Sequence, residues 1–153
     1  MFQGDRLKLA LSFDPQSLRD DLARAARREW TAHFVRENYE GDWSAIPLRS
    51  VAGETYPSRM IYSDPIATEF ADTALLDDCA YFKRVVGAFE CPMRSVRLMK
   101  LSPGSIIKEH TDLDLEFESG KVRIHIPIVT DPGVEFELNR RRVIMEPGET
   151  WYL

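Results

Sequence analysis

Lys121-Val122-Arg123-Ile124-His125-Ile126-Pro127-Ile128-Val129 alternates in character, and its reading decides the fold. Successive side chains of an extended chain point to opposite faces. Val122, Ile124, Ile126 and Ile128 therefore share one face, and Lys121, Arg123, His125 and Pro127 the other. The period of two predicts a strand over 121–129. Turn chemistry brackets it: Pro103-Gly104 upstream, then Asp131-Pro132-Gly133, Asn139-Arg140 and Pro147-Gly148 downstream. Between these turns the stretches 96–101, 105–110, 134–138, 142–146 and 150–153 read as further short strands. Short strands punctuated by Pro-Gly turns predict a jelly-roll or related barrel.

The chain before residue 92 has a different character. Asp14-Pro15 supplies a favoured N-cap and a favoured first helical residue. Leu18, Leu22, Ala25, Ala26, Trp30, His33 and Phe34 then recur at helical spacing, which predicts one helix ending before Gly41. A strand over 46–52 and a long loop over 53–66, broken by Pro57 and Pro65, follow. The stretch 75–89 reads as a helix with Cys79, Phe82, Val85, Val86 and Phe89 on its apolar face. Helices first and strands afterwards define an α+β fold. We expect a jelly-roll or related barrel with N-terminal helices packed on one sheet. The 153 residues make a single domain, helical and irregular over 1–91, with an incomplete jelly-roll core over 92–153.

Composition excludes several classes of partner. A net charge of −5 argues against nucleic acid and anionic membranes, which call for a surplus of Lys and Arg. Arg140-Arg141-Arg142 is flanked by Glu135, Glu137 and Glu146 and reads as a solvated hairpin turn. Two cysteines, Cys79 and Cys91, are too few for a disulfide framework and are expected as reduced thiols. No apolar run is long enough for a membrane span, and residues 1–13 lack the apolar run of a signal peptide. A cytoplasmic location is the expectation.

Two clusters carry chemistry. In Glu109-His110-Thr111-Asp112 the i, i+2 spacing lets His110 and Asp112 converge on one metal ion in an extended segment. Two His and one carboxylate form the facial triad of non-haem Fe(II) oxygenases, which leaves open positions for co-substrate and dioxygen. Arg123 on an inward strand face needs an anionic partner, and its planar fork matches a carboxylate. The residues leave three partners open for it. One is a bound anion shared with His125, another is an internal salt bridge to Glu116, Glu118 or Glu135, and the third is solvent beside an edge strand. His33, isolated on its apolar stripe, reads as a packing or capping residue.

Several motifs in order resemble one family. They are Leu98-Met99-Lys100-Leu101-Ser102-Pro103-Gly104, His110-Thr111-Asp112, Arg123-Ile124-His125-Ile126-Pro127 and Pro147-Gly148-Glu149-Thr150-Trp151. Upstream stands Gly41-Asp42-Trp43-Ser44 with Leu48. The combination resembles the aspartyl/asparaginyl β-hydroxylases, whose bacterial members include proline cis-4-hydroxylases. The resemblance implies a double-stranded β-helix that binds Fe(II) and the co-substrate 2-oxoglutarate. His110 and Asp112 would be metal ligands, and Arg123 and His125 would contact 2-oxoglutarate. Lys121 would meet a substrate carboxylate, with Arg49 as a further substrate contact. Dioxygen and an amino acid, or an Asp, Asn or Pro side chain, would be the reactants.

The resemblance also implies two strands beyond the Gly-Glu-x-Trp segment, carrying a distal metal His and a further Arg. Neither residue lies within 1–153, so a tail that is cut off, disordered or supplied by a partner is expected. The alternatives are a non-catalytic jelly-roll module that binds a small anion, or a fragment without activity.

Overall fold

The structure, a computed structural model, describes residues 4–112, 115 and 120–153. In chain order the elements begin with β1 (Leu7–Ser12), α1 (Pro15–Ala25), β2 (Thr31–Ala32), β3 (Tyr39–Glu40) and β4 (Trp43–Val51). Next come α2 (Pro57–Met60), β5 (Phe70–Asp72), α3 (Ala74–Asp78), α4 (Ala80–Gly87), β6 (Val96–Leu101) and β7 (Ile106–Ile107). The last are β8 (Ile124–His125), β9 (Glu137–Leu138), β10 (Arg141–Arg142) and β11 (Glu149–Tyr152). The fold is mixed, with antiparallel sheets interspersed with short helices, and the described strands form no closed barrel. Among the described residues no helix is long and apolar enough to cross a membrane.

The chain forms two units, Met1–Leu22 with Asp112–Leu153, and Ala23–Thr111. The second is built on β4, which pairs antiparallel with β2, β5 and β6. Trp43, Ala45, Ile46 and Leu48 on β4 are buried, together with Leu98 of β6. Helices α2 and α3 pack against this strand. Leu75, Leu76, Cys79, Phe82 and Val85, from α3 to α4, complete the apolar interior. Pro47 has no N–H to give a ladder, and the β4–β6 register shifts between Pro47 and Arg49, as a bulge at a proline would produce.

In the first unit β11 lies between β1 and β8. Leu7 faces Tyr152 and Lys8 faces Trp151 on one side, and Trp151 faces His125 on the other. The alternation of Leu7, Leu9 and Leu11 with Lys8, Ala10 and Ser12 is the signal for β1, a strand the sequence reading did not assign. Gly148 leads into β11 at φ +86°, its N–H donating to the Pro127 carbonyl at 2.9 Å. The hairpin of β9 and β10 turns on Asn139 and Arg140, both left-handed (φ 50° and 59°), as a two-residue type I′ turn requires. Asp5 braces this hairpin by accepting from Arg6, Asn139 and Arg141, and the Arg6 contact chiefly drives its carboxyl pKa far down.

The first helix starts as expected. Asp14 Oδ2 accepts from the Ser17 N–H at 2.8 Å and the Ser17 hydroxyl at 2.6 Å. It ends at Ala25, well short of Gly41, and Trp30, His33 and Phe34 lie beyond it. Arg24, Arg27 and Arg28 would stack like charges at i, i+3 and i+4 in a longer helix. Instead the chain extends, Thr31 pairs with Ala45 and Ala32 with Ser44, and the His33 N–H donates to the Trp43 carbonyl at 2.8 Å. Sheet pairing overrides the helical period. The expected helix over 75–89 is likewise divided at Cys79, whose backbone leaves the helical region (φ −113°, ψ 83°) after the paired acids Asp77 and Asp78. The expected strand over 121–129 shortens to Ile124–His125; beyond it Pro127 has no N–H to give a ladder. The two cysteines are free thiols, Cys79 buried and Cys91 exposed.

Candidate metal and co-substrate site

His110 belongs to the second unit. Strand β7 pairs with β3, Tyr39 facing Ile107, and the Lys108 N–H extends the ladder to the Asn38 carbonyl at 2.8 Å. The Lys108 carbonyl in turn lies 2.8 Å from His110 Nδ1. A carbonyl only accepts, so Nδ1 is the donor, which in a neutral imidazole puts the lone pair on Nε2. A backbone carbonyl that fixes the tautomer is the usual support of a metal-ligating histidine.

Behind His110 stands an aromatic stack. The His110 and Trp43 ring centroids are 6.2 Å apart, and Trp43 lies flat on His33 at 3.6 Å with 6° between planes. Phe34 stacks on His33 at 4.5 Å, and Tyr39 meets the Trp43 ring edge-on at 5.6 Å. His33 Nδ1 accepts from the Val35 N–H at 3.3 Å, and the Tyr39 hydroxyl donates to the His33 carbonyl at 3.1 Å. His33 is thus the packing residue expected, set in a strand-and-loop segment. The sequence reading did not single out Trp43 as a neighbour of His110; its one signal was the Gly41-Asp42-Trp43-Ser44 motif. Trp43→Ala should cost about 3–5 kcal/mol of stability by chemical denaturation, whereas Trp43→Phe should retain most of it.

Asp112 belongs to the first unit and forms an ion pair with Arg123 Nη1. The guanidinium is 30 % exposed and the carboxylate 42 %, so both reach solvent. This pair was none of the partners weighed for Arg123 from sequence; of those, Glu116 and Glu118 lie outside the described residues. Lys121, Arg123 and His125 are half-buried, while Val122 between them is 49 % exposed. The polar face of this segment is therefore not simply a solvated edge. The His125 ring meets Phe136 edge-on at 6.0 Å, and its backbone pairs with Trp151. Trp151 Nε1 donates to Glu149 Oε2 at 2.9 Å. Burial raises the Glu149 pKa, but the hydrogen bonds from Lys8, the Glu146 N–H and Trp151 outweigh it and the net shift is downward.

Arg49 sits on β4 in the second unit with each of its three guanidinium nitrogens making a hydrogen bond. Nη1 reaches Asp72 at 2.6 Å, Nη2 the Phe70 carbonyl at 2.9 Å and Nε the Met93 carbonyl at 3.2 Å. Of the residues singled out from sequence, the structure brings Asp112 and Arg123 together and ties Arg49 to the β4–β5 sheet. Among the described residues no three His, Cys, Asp or Glu side chains gather closely enough to hold a metal ion. Taken singly, the two donors are of types that Fe(II) accepts: an imidazole whose Nδ1 is held by a carbonyl, and a carboxylate.

A family model described as aspartyl/asparaginyl beta-hydroxylase matches residues 13–153. The chain belongs to the aspartyl/asparaginyl beta-hydroxylase family. A search of curated proteins found no match. Family membership places the chain among hydroxylases, a class of oxidoreductase. Every site residue named above, from Arg49 to His125, falls inside the aspartyl/asparaginyl beta-hydroxylase match.

Proposed function

We propose that the protein is an Fe(II)- and 2-oxoglutarate-dependent dioxygenase that hydroxylates an amino acid or an Asp, Asn or Pro side chain. The observation that carries this reading is the family match over residues 13–153. His110, through Nε2, and Asp112 hold the metal, and the fold they belong to is a jelly-roll domain. When bound, the metal couples oxidative decarboxylation of 2-oxoglutarate to insertion of oxygen into a C–H bond.

The chain's own residues supply binding and orientation. Arg123 grips a carboxylate of 2-oxoglutarate through its planar fork. His125, set edge-on against Phe136, offers a ring N–H to the same carboxylate. Lys121, half-buried beside them, takes a carboxylate of a small substrate. Arg49, held by Asp72 and the neighbouring carbonyls, is the further substrate contact. The enzyme works in the cytoplasm on a small molecule or an accessible peptidyl side chain, without nucleic acid or membrane.

Anaerobic titration with Fe(II) and 2-oxoglutarate tests the reading. A weak visible charge-transfer band should grow to saturation at one equivalent of each. Arg123→Ala should raise the 2-oxoglutarate concentration required by about a hundredfold, as truncating one side of a charge pair does. No band in the native protein would overturn the oxygenase assignment and favour an anion-binding module. Unchanged 2-oxoglutarate affinity in Arg123→Ala would remove Arg123 from the site.

A further inference from the structure

Two neighbouring cavities within the second unit share Arg28 and Leu75 but differ in character. The first, of about 400 Å³, is lined by Arg24, Arg27, Arg28, Leu75 and Asp78. Arg24 lies in the last turn of α1, and Arg27 and Arg28 follow it in a turn closed by the Arg28 N–H on the Ala25 carbonyl at 3.0 Å. Three guanidinium groups thus share the space with one carboxylate, on a chain whose net charge is −5. Asp78 offsets little of that excess. It meets Arg28 at 3.4 Å with the two side chains 60 % and 62 % exposed, a contact weak enough to exchange. Among the described residues no carboxylate pairs with Arg27. A recess with surplus guanidinium suits an anion that brings its own oxygen atoms.

The second cavity, of about 340 Å³, has a largely apolar wall: Ile46 and Pro47 of β4, Pro57 and Met60 of α2, Ala74 and Leu75 of α3. The two prolines have no N–H to offer. Thr73, also in the wall, has its hydroxyl proton committed to the Pro47 and Leu48 carbonyls, each at 3.1 Å. None of the lining residues is aromatic. Such a wall takes an aliphatic chain. Its charged members are Arg28, shared with the basic cavity, and Glu29, which disfavours an anion in the groove itself and leaves the head to the arginines.

We propose that the two cavities together bind a small aliphatic carboxylate, its head on Arg27 and Arg28 and its chain in the groove. The head is a carboxylate because Arg28 already takes one there, from Asp78. None of these residues is among those assigned to metal, 2-oxoglutarate or substrate, so the site stands independently of that assignment.

Butyrate, hexanoate, octanoate and decanoate, titrated into the full chain below their micelle concentrations and followed by calorimetry, test the site. Affinity should rise by up to about fourfold for each added methylene while the groove fills, then level off. Arg27→Ala should weaken octanoate by about two- to fivefold, the size of an exposed charge contact, and leave octanol unchanged. Ala74→Asp places a carboxylate in the groove at an exposed position, where the start of α3 favours an acid and the fold is kept. It should weaken octanoate by about tenfold or more. Circular dichroism checks that both variants are folded.

No saturable binding of octanoate or decanoate would overturn the proposal. So would normal octanoate binding by Ala74→Asp, since the chain then lies elsewhere. Octanol held as tightly as octanoate, or unaltered octanoate binding by Arg27→Ala, takes the head off the arginines and overturns it too. Saturation by octyl phosphate but not by octanoate overturns the carboxylate. A dimer in sedimentation that excludes octanoate makes the groove an interface between copies instead.

Discussion

Gly148→Ala should lose about 3 kcal/mol of stability, from left-handed backbone strain and a steric clash acting together. Gly148 holds φ +86°, a conformation in which a Cβ is strained. A Cβ there would also collide with the Phe13 carbonyl oxygen and approach the Pro15 ring. The backbone has little room to yield. The Phe13 N–H donates to the Gly148 carbonyl at 2.9 Å, and the Gly148 N–H donates to Pro127 at 2.9 Å. One glycine thus pins the start of α1, the end of the β8 segment and the entry to β11. Gly104→Ala is the matched control, with φ +77° but nothing within 4 Å of the added Cβ, so it isolates the conformational term. Urea denaturation with an unchanged slope checks both. A Gly148→Ala loss no greater than that of Gly104→Ala would show that the Phe13 contact relaxes at no cost.

What the sequence revealed of the fold depended on how local the deciding interaction was. The Asp14 cap, the Asn139-Arg140 turn and the Gly148 bend are set by residues within a few positions, and each is where its chemistry places it. The first helix was misjudged in length because its apolar period continues through Trp30 and Phe34. What ends it is arginine crowding and pairing with a strand more than ten residues downstream. Strand β1 escaped notice for a similar reason. Its partner, β11, lies at the other end of the chain, so only the leucine alternation marked it.

The candidate site was legible in residue types more than in partners. His110, Asp112, Arg123 and His125 announce themselves by spacing and charge. That Asp112 and Arg123 meet could not be read from spacing, since the intervening residues include three other carboxylates among Asp114, Glu116 and Glu118. Nor could the commitment of Arg49 to Asp72, which depends on the β4–β5 register placing the two side by side.

Two of the chain's three histidines allow chemistry and stability to be pulled apart. His110→Ala should weaken binding of Mn(II), standing in for Fe(II), by about a hundredfold or more, since even an outer partner of a metal ligand is worth 10–100-fold. Hydroxylation should fall to background with it. Because His110 is exposed, its urea midpoint should move by no more than about 0.5 kcal/mol equivalent. His33→Ala should show the converse. The residue is 7 % exposed and its ring stacks on both Phe34 and Trp43, so truncation opens a cavity and costs about 2–4 kcal/mol. Its metal affinity should change far less than that of His110→Ala, in proportion to how much Trp43 shifts against His110. Calorimetry with Mn(II) on the folded variants, alongside urea melts, gives both quantities. A His110→Ala variant that binds metal normally would move the metal site elsewhere. A His33→Ala variant that loses metal as completely as His110→Ala would mean that the stack, and not the exposed imidazole, sets the geometry of the ligand.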